Sequence, residues 1–310
     1  MKFFDFPKFF GLLLLVFAIG FVSCEDDDAD DMVIANNDQT IAAYISNDAN
    51  FSILNDAIAQ AGLTSVFTDE DAELTLFAPN NAAFAAANID LNTISTEDLR
   101  RVLMYHVITD DKIKGTDLTF EDRYFQTAAT MNGRNLSVML DRDNDRLMVN
   151  EFTAISDSEN DFENGVIYEL GNVLMPASVV DIVSFDSELS MLATAVTNAS
   201  LLGAVTDANV TVFAPKNEAF EDVDTGNLTA EQLRSVLTYH VVPQLLLKDD
   251  FEDDQVITAA NGKTFTIDID LGFLEIEDES GADTRIEIED INATDGVIHI
   301  IKDVLMPADL

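Results

Sequence analysis

Apolar residues are distributed along the chain in three ways. From Phe9 to Val22 they run without a break. Further on they recur at helical spacing: Phe51, Leu54, Ile58 and Ala61 line one face of a predicted helix, and Leu189, Leu192, Val196 and Ala199 line another. Such stripes are core faces. Two short continuous runs, Leu74 to Ala78 and Val210 to Ala214, read as strands. Pro79 and Pro215 close them, holding the preceding alanine extended and marking a turn that hands over to a helix. The following helix starts with a capping box at Thr229 and Gln232, and with a weaker counterpart at Ser95 and Asp98. Leu99, Val102 and Leu103 then keep helical spacing up to a Tyr-His pair. Thereafter the period falls to two. TFTIDID (264–270) and RIEIEDI (285–291) alternate as half-buried strands do, and Asn-Gly at 132–133 and 261–262 is a hairpin signal. Helices followed by antiparallel strands make an α+β unit.

That unit is written twice. TLFAPNNAAF (75–84) returns as TVFAPKNEAF (211–220), LRRVLMYHV (99–107) as LRSVLTYHV (233–241), and GVIYELGNVLMPA (165–177) as GVIHIIKDVLMPA (296–308). The order is kept and the spacing drifts by only a few residues. This places insertions in loops, as in two homologous domains in tandem. The predicted boundary lies near Ser178, with one domain at 38–177 and a second at 178–310.

The repeated segments, FAPxNxAF, the helix ending in YHV and the closing NATDGVIHIIKDVLMP, resemble the fasciclin (FAS1) domain family; copy one carries the last as NDFENGVIYELGNVLMP. The resemblance covers about Asp38 to Leu310. It implies two tandem FAS1 domains of α+β class, each a β-wedge or sandwich of two sheets splayed at one end, with α-helices packed on it. It also implies a binding surface at Tyr105, His106, Tyr239 and His240. Asp290-Ile291 matches the aspartate-isoleucine adhesion motif of the family's matrix proteins. Copy one has Phe152-Thr153 or Ala154-Ile155 there and an acidic insertion, Ser156 to Glu163, beside it, so this motif is expected to bind through copy two alone. The residues themselves also allow plainer readings: core histidines hydrogen-bonded to backbone, and a strand end that buries Ile291.

Composition narrows the partners. Lys and Arg number 16 against 58 Asp and Glu, a formal net charge of −42. A polyanion of that size repels phosphate backbones and anionic lipid surfaces, so no nucleic-acid partner is expected. With 1 Cys and 3 His there is no cysteine-based zinc site and little room for a multi-histidine centre, so neither a metal centre nor a cofactor is expected. In DRDNDRLMVNE (141–151), Asp141, Asp143 and Asp145 alternate as in a calcium loop, but Arg146 stands where the turn needs glycine and Phe152 where the bidentate Glu belongs. The run reads as a solvated hairpin tip, and only weak divalent-cation binding is expected of the acidic surface as a whole. The sequence has no glycine-rich phosphate loop or nucleophile elbow, and no catalytic residue is assigned.

The N-terminus reads as an address. Lys2 and Lys8 flank the start of residues 1–23, and the Phe9–Val22 run would span only about 21 Å as a helix, short of the ~30 Å hydrocarbon core. A signal peptide is the expectation. FVSC, ending at Cys24, resembles the lipobox of bacterial lipoproteins and implies cleavage and lipidation at that cysteine; ordinary signal-peptidase cleavage is the alternative. Residues 24–37 begin with the like-charge block EDDDADD (25–31) and read as a solvated acidic tether. The block also resembles the tag of lipoproteins exported to the outer face of the outer membrane.

These readings lead to a cell-surface outer membrane lipoprotein that touches membrane through its anchor alone. It is expected to recognise extracellular matrix or neighbouring-cell partners, protein or glycan, without catalysis. The rival expectation is a polysaccharide-binding or processing accessory protein at the same surface.

Overall fold

The computed structural model describes residues 39–114, 123–143, 146–153, 160–201, 209–221, 223 and 228–308. The signal peptide, Cys24 and the acidic tether lie outside them, as do Asp145 and residues 156–159 of the acidic insertion.

Copy one opens with α1 (Ile41–Asn47), a 3-10 turn (Ala49–Phe51), α2 (Ser52–Gln60) and α3 (Thr64–Thr68). The stripe of Phe51, Leu54, Ile58 and Ala61 is buried, as its spacing predicts. Next come β1 (Leu74–Pro79), α4 (Asn81–Ala86), α5 (Thr96–Tyr105) and β2 (Val107–Thr109). Strands β3 (Tyr124–Met131), β4 (Arg134–Asp143), β5 (Arg146–Val149), β6 (Phe152–Thr153), β7 (Asn160–Phe162) and β8 (Gly165–Leu170) complete the copy. Copy two repeats the order with α6 (Val179–Phe185), a 3-10 turn (Ser187–Leu189), α7 (Ser190–Asn198), β9 (Val210–Pro215), a 3-10 turn (Asn217–Phe220), α8 (Ala230–Tyr239) and β10 (Val241–Val242). It ends with β11 (Gln255–Thr258), β12 (Thr264–Asp270), β13 (Phe273–Glu277), β14 (Asp283–Asn292) and β15 (Gly296–Ile301). One difference between the copies has a visible local cause. Asn80 caps α4 by accepting the Ala83 N–H at 3.0 Å, whereas Lys216 offers no side-chain cap and only a 3-10 turn forms after it.

The capping box at Thr229 and Gln232 is present on α8; at Ser95 only the forward half forms, with the Asp98 N–H on the hydroxyl. Asn132 (φ +51°) and Gly133 (φ +80°) make the tight turn of the β3–β4 hairpin. At the second Asn-Gly only Gly262 is left-handed, and the loop is longer, closed by the Ala259 N–H on the Lys263 carbonyl at 2.8 Å.

Copy one holds two four-stranded sheets, β2-β1-β8-β7 and β3-β4-β5-β6, among its described residues. Copy two has one seven-stranded ribbon, β10-β9-β15-β14-β13-β12-β11, in which β14 bends at two register shifts and serves both halves. Sequence alternation predicts antiparallel strands, and most pairings are so. In each copy, however, the first strand lies parallel to the last: β1 on β8 from Leu74↔Gly165, and β9 on β15 from Val210↔Gly296. Both first strands are buried at every position, which is why they are apolar apart from Thr75 and Thr211, whose hydroxyls donate to the Asp111 and Gln244 carbonyls.

The copies pack into one compact unit. Ser178 and Asp181 form a capping box that starts α6 at the junction. Buried Arg123 of copy one is held by Asp186 (3.1 Å) and Glu188 (3.2 Å) of copy two and by its own Asp141 (3.2 Å). The Tyr124 hydroxyl donates to the other Asp186 oxygen at 2.6 Å.

Each parallel pair leaves no room at its first residue. A Cβ on Gly165 would lie 2.2 Å from the Leu74 carbonyl oxygen, and one on Gly296 2.5 Å from that of Val210. Gly296→Ala is therefore expected to cost about 1–3 kcal/mol, read as a lowered Tm in a thermal melt. An unchanged melt would show that the strands separate there without penalty.

Candidate functional site

The two Tyr-His pairs sit at the ends of α5 and α8, and all four side chains are buried. The Leu174 N–H donates to His106 Nε2 at 2.8 Å, so this nitrogen is the acceptor and Nδ1 carries the proton given to the Val102 carbonyl at 2.7 Å. His240 repeats the arrangement with Leu305 N–H (2.9 Å) and the Val236 carbonyl (2.8 Å). Each ring thus pins a helix end to the VLMP segment that closes its copy. Burial pushes both imidazoles down to about 4, so both are neutral at neutral pH. The Tyr105 hydroxyl donates to the Ser137 carbonyl (2.8 Å) and that of Tyr239 to the Thr264 carbonyl (2.6 Å); burial raises each to about 12.

Asp290 stands in the second register shift of β14 with φ +58°, a left-handed conformation that aspartate tolerates better than most residues. Its Oδ1 accepts the Lys248 N–H at 2.8 Å, while the Lys248 ammonium bonds both Glu289 oxygens at 2.9 Å. That carboxylate partner raises the Lys248 pKa. The Asp290 N–H donates to Nδ1 of buried His299 at 3.3 Å, whose Nε2 then donates to the Leu246 carbonyl at 2.9 Å. Burial lowers this imidazole too. Ile291 is buried, so the half-exposed Asp290 carboxylate is the outward part of the motif.

Copy one covers part of this edge. Gln126 donates to the Asp290 carbonyl at 3.3 Å, Arg134 to Asn292 Oδ1 at 3.0 Å, and the Asn292 N–H bonds the Ser137 hydroxyl at 2.9 Å. Ser137 therefore links Tyr105 of copy one to the 290–292 edge of copy two through its carbonyl and hydroxyl. Tyr239 and His240 have no hydrogen bond to that edge among the described residues. Asp141, first of the calcium-like run, is committed to Arg123 and caps the Arg142 N–H, and the described residues hold no group of three metal-type side chains.

Several residues that shape the site went unread in the sequence. Asn81 and Asn217 accept the Ile53 and Met191 N–H groups at 2.9 Å and tie each FAPxNxAF turn to its first long helix. Asn164 accepts the Ile41 N–H at 2.9 Å, and Asp295 the Val179 N–H at 2.8 Å, fixing where each copy's first helix begins. Recurrence of Asn in FAPxNxAF, and of an Asn or Asp before Gly-Val, was the available signal. Ser137 and Arg123 have no such repeat.

The model of the fasciclin domain family matches residues 49–176 and 187–307. Transforming growth factor-beta-induced protein ig-h3 of Sus scrofa is 28% identical over 289 residues, which is 90% of this chain and 39% of that protein. Periostin of Homo sapiens is 26% identical over 82% of this chain and 30% of its own length. The chain thus spans about two fifths or less of these relatives. The uncharacterized protein sll1735 of Synechocystis is 33% identical over 42% of this chain and 97% of its own. A FAS1 domain pair from the insect cell adhesion molecule fasciclin I superposes with a TM-score of 0.47 at 15% identity, covering 86% of this chain and 95% of that one.

The histidine latches make stability depend on pH with a definite sign. A folded-state pKa of about 4 against an ordinary 6.5 means full stabilisation above pH 6.5, lost as pH falls toward 4. Replacing His240 by Gln should shrink the stability change between pH 7 and pH 5 by roughly 2 kcal/mol relative to the wild type. Parallel pH profiles from urea melts would show that ring to be unburied or already charged.

Proposed function

Since the chain belongs to the fasciclin domain family, we propose that it is a non-catalytic adhesion protein held at the cell surface by a lipid on Cys24, binding extracellular protein or glycan partners. In this reading residues 1–23 are the signal peptide, 24–37 the tether, and 38–177 and 178–310 the two domains. The observation that carries it is the commitment of the histidines. His106, His240 and His299 each have both ring nitrogens bonded to backbone, so none has a nitrogen to spare for a substrate proton or a metal. What the Tyr-His pairs do for binding they do from beneath, by fixing the surface above them. The outward-facing candidate contact is the Asp290 carboxylate beside Lys248.

No helix among the described residues is long and apolar enough to cross a membrane. Cys24→Ser should shift the protein from the membrane fraction to the soluble one and abolish palmitate labelling, because two or three acyl chains on that cysteine suffice for stable anchoring. Unaltered membrane retention with no label on the wild type would overturn the lipid anchor.

Asp290→Asn keeps a residue that tolerates left-handed backbone but removes the charge. Its binding to intact cells is expected to fall several-fold with the melting temperature within a few degrees of wild type. Wild-type binding would remove this edge from the adhesion surface. Saccharide hits on a glycan array, with unaltered cell aggregation on deletion, would favour the polysaccharide-accessory reading.

A further inference from the structure

The hairpin that joins β12 to β13 ends in apolar residues that the fold does not bury. Leu271 is 90% exposed and Phe273 47%, with Ile269 at 36% just behind them. Leu271 also has φ +51°, followed by Gly272 at +87°, a two-residue turn whose first position suits Asn, Asp or Gly far better than leucine. Neither burial nor backbone preference explains a leucine here. The hairpin does not need it either: the corresponding tip of copy one, between β4 and β5, reads Arg-Asp-Asn-Asp-Arg (142–146).

We propose that this tip is a docking surface for a basic, extended segment of an extracellular protein, one that carries an apolar side chain between lysines or arginines. The surroundings select that occupant. Asp268 and Asp270 are exposed on β12, and exposed Asp253 and Asp254 lie beside them, with the Asp253 carboxylate accepting the Ile269 N–H at 2.9 Å. Desolvation, then the charge of Asp253, a hydrogen bond with it, and the charges of Asp270 and Asp254 hold the Asp268 carboxyl above its ordinary pKa, and an arriving cation relieves the part of this that is repulsion between carboxylates. The protein has placed one cation there already: the Arg285 guanidinium lies 3.5 Å from the centre of the Phe273 ring. A second copy of this chain is disfavoured, because it would bring another set of the same carboxylates to the tip.

The tip and Asp290 both lie toward the C-terminal end of β14, because Glu275 faces Arg285 and Glu277 faces Asp283 in the antiparallel pair, so the two are told apart by separate substitutions. The probe is a fluorescent lysine-rich nonapeptide with a central phenylalanine, titrated into the purified full chain, with a serine-centred peptide of equal charge beside it. The phenylalanine peptide should bind at least about fivefold more tightly than the serine one, and Leu271→Asn and Phe273→Ser should each remove that advantage, whereas Asp290→Asn should not. Because Asn suits the turn, Leu271→Asn should melt no lower than wild type, which separates lost binding from lost folding. Equal affinity for the two peptides would reduce the tip to unspecific polyanion attraction and overturn the proposal. So would no binding of either peptide, retention of the advantage in both tip variants, or a concentration-dependent dimer that Leu271→Asn dissolves.

Discussion

Each copy is closed by laying its first strand parallel to its last, and the rest of the fold answers to that pairing. A parallel pair cannot be joined by a tight turn, so everything between β1 and β8, and between β9 and β15, is one long crossover that must return to register. The return is enforced locally. Glycine lets the last strand approach the first at Leu74 and Val210, and the Asn or Asp before it ties down the start of the copy's first helix. The histidine at the end of α5 or α8 then holds the chain just after the last strand. The YHV and closing motifs supply these ties, and their polar side chains are spent on backbone.

The second level of organisation is the contact between copies. A chain of net charge −42 is poor in cations, yet Arg123 is buried among three carboxylates, two of them from the other copy. Burial works against that guanidinium and the carboxylates more than offset it, raising its pKa. Removing one partner of such a buried group is costly, since the remainder is left without compensation. Ser137 adds a neutral connection between Tyr105 and the 290–292 edge, so two motifs about two hundred residues apart share one strand position.

Much of this was legible in the sequence. Helical stripes, the capping box at Thr229 and the hairpin at Asn132-Gly133 are local patterns, and each appears where its spacing places it. The parallel direction of the closing pairs was not legible, because a short run buried on both sides, such as Val210 to Ala214, has no solvent face and names no neighbour. At Asn261-Gly262 the dipeptide announces a hairpin but its loop length depends on the Asn261 side chain, which caps the Lys263 N–H and reaches the Ser235 carbonyl. The candidate site was harder still. Its motifs stand out by repetition, whereas the coverage of Asp290 by Gln126 comes from a contact between copies that no pattern within one copy can encode.

The parallel closure also decides how each copy carries mechanical load. When two strands run the same way, tension between the beginning of the first and the end of the last acts along both, so their ladder is sheared and its hydrogen bonds must yield together. An antiparallel hairpin pulled from its open ends would instead unzip one bond at a time. In copy two, for force entering on the Val210 side and leaving beyond Ile301, β9 and β15 form such a sheared clamp, with the His240 tie to Leu305 just past its end.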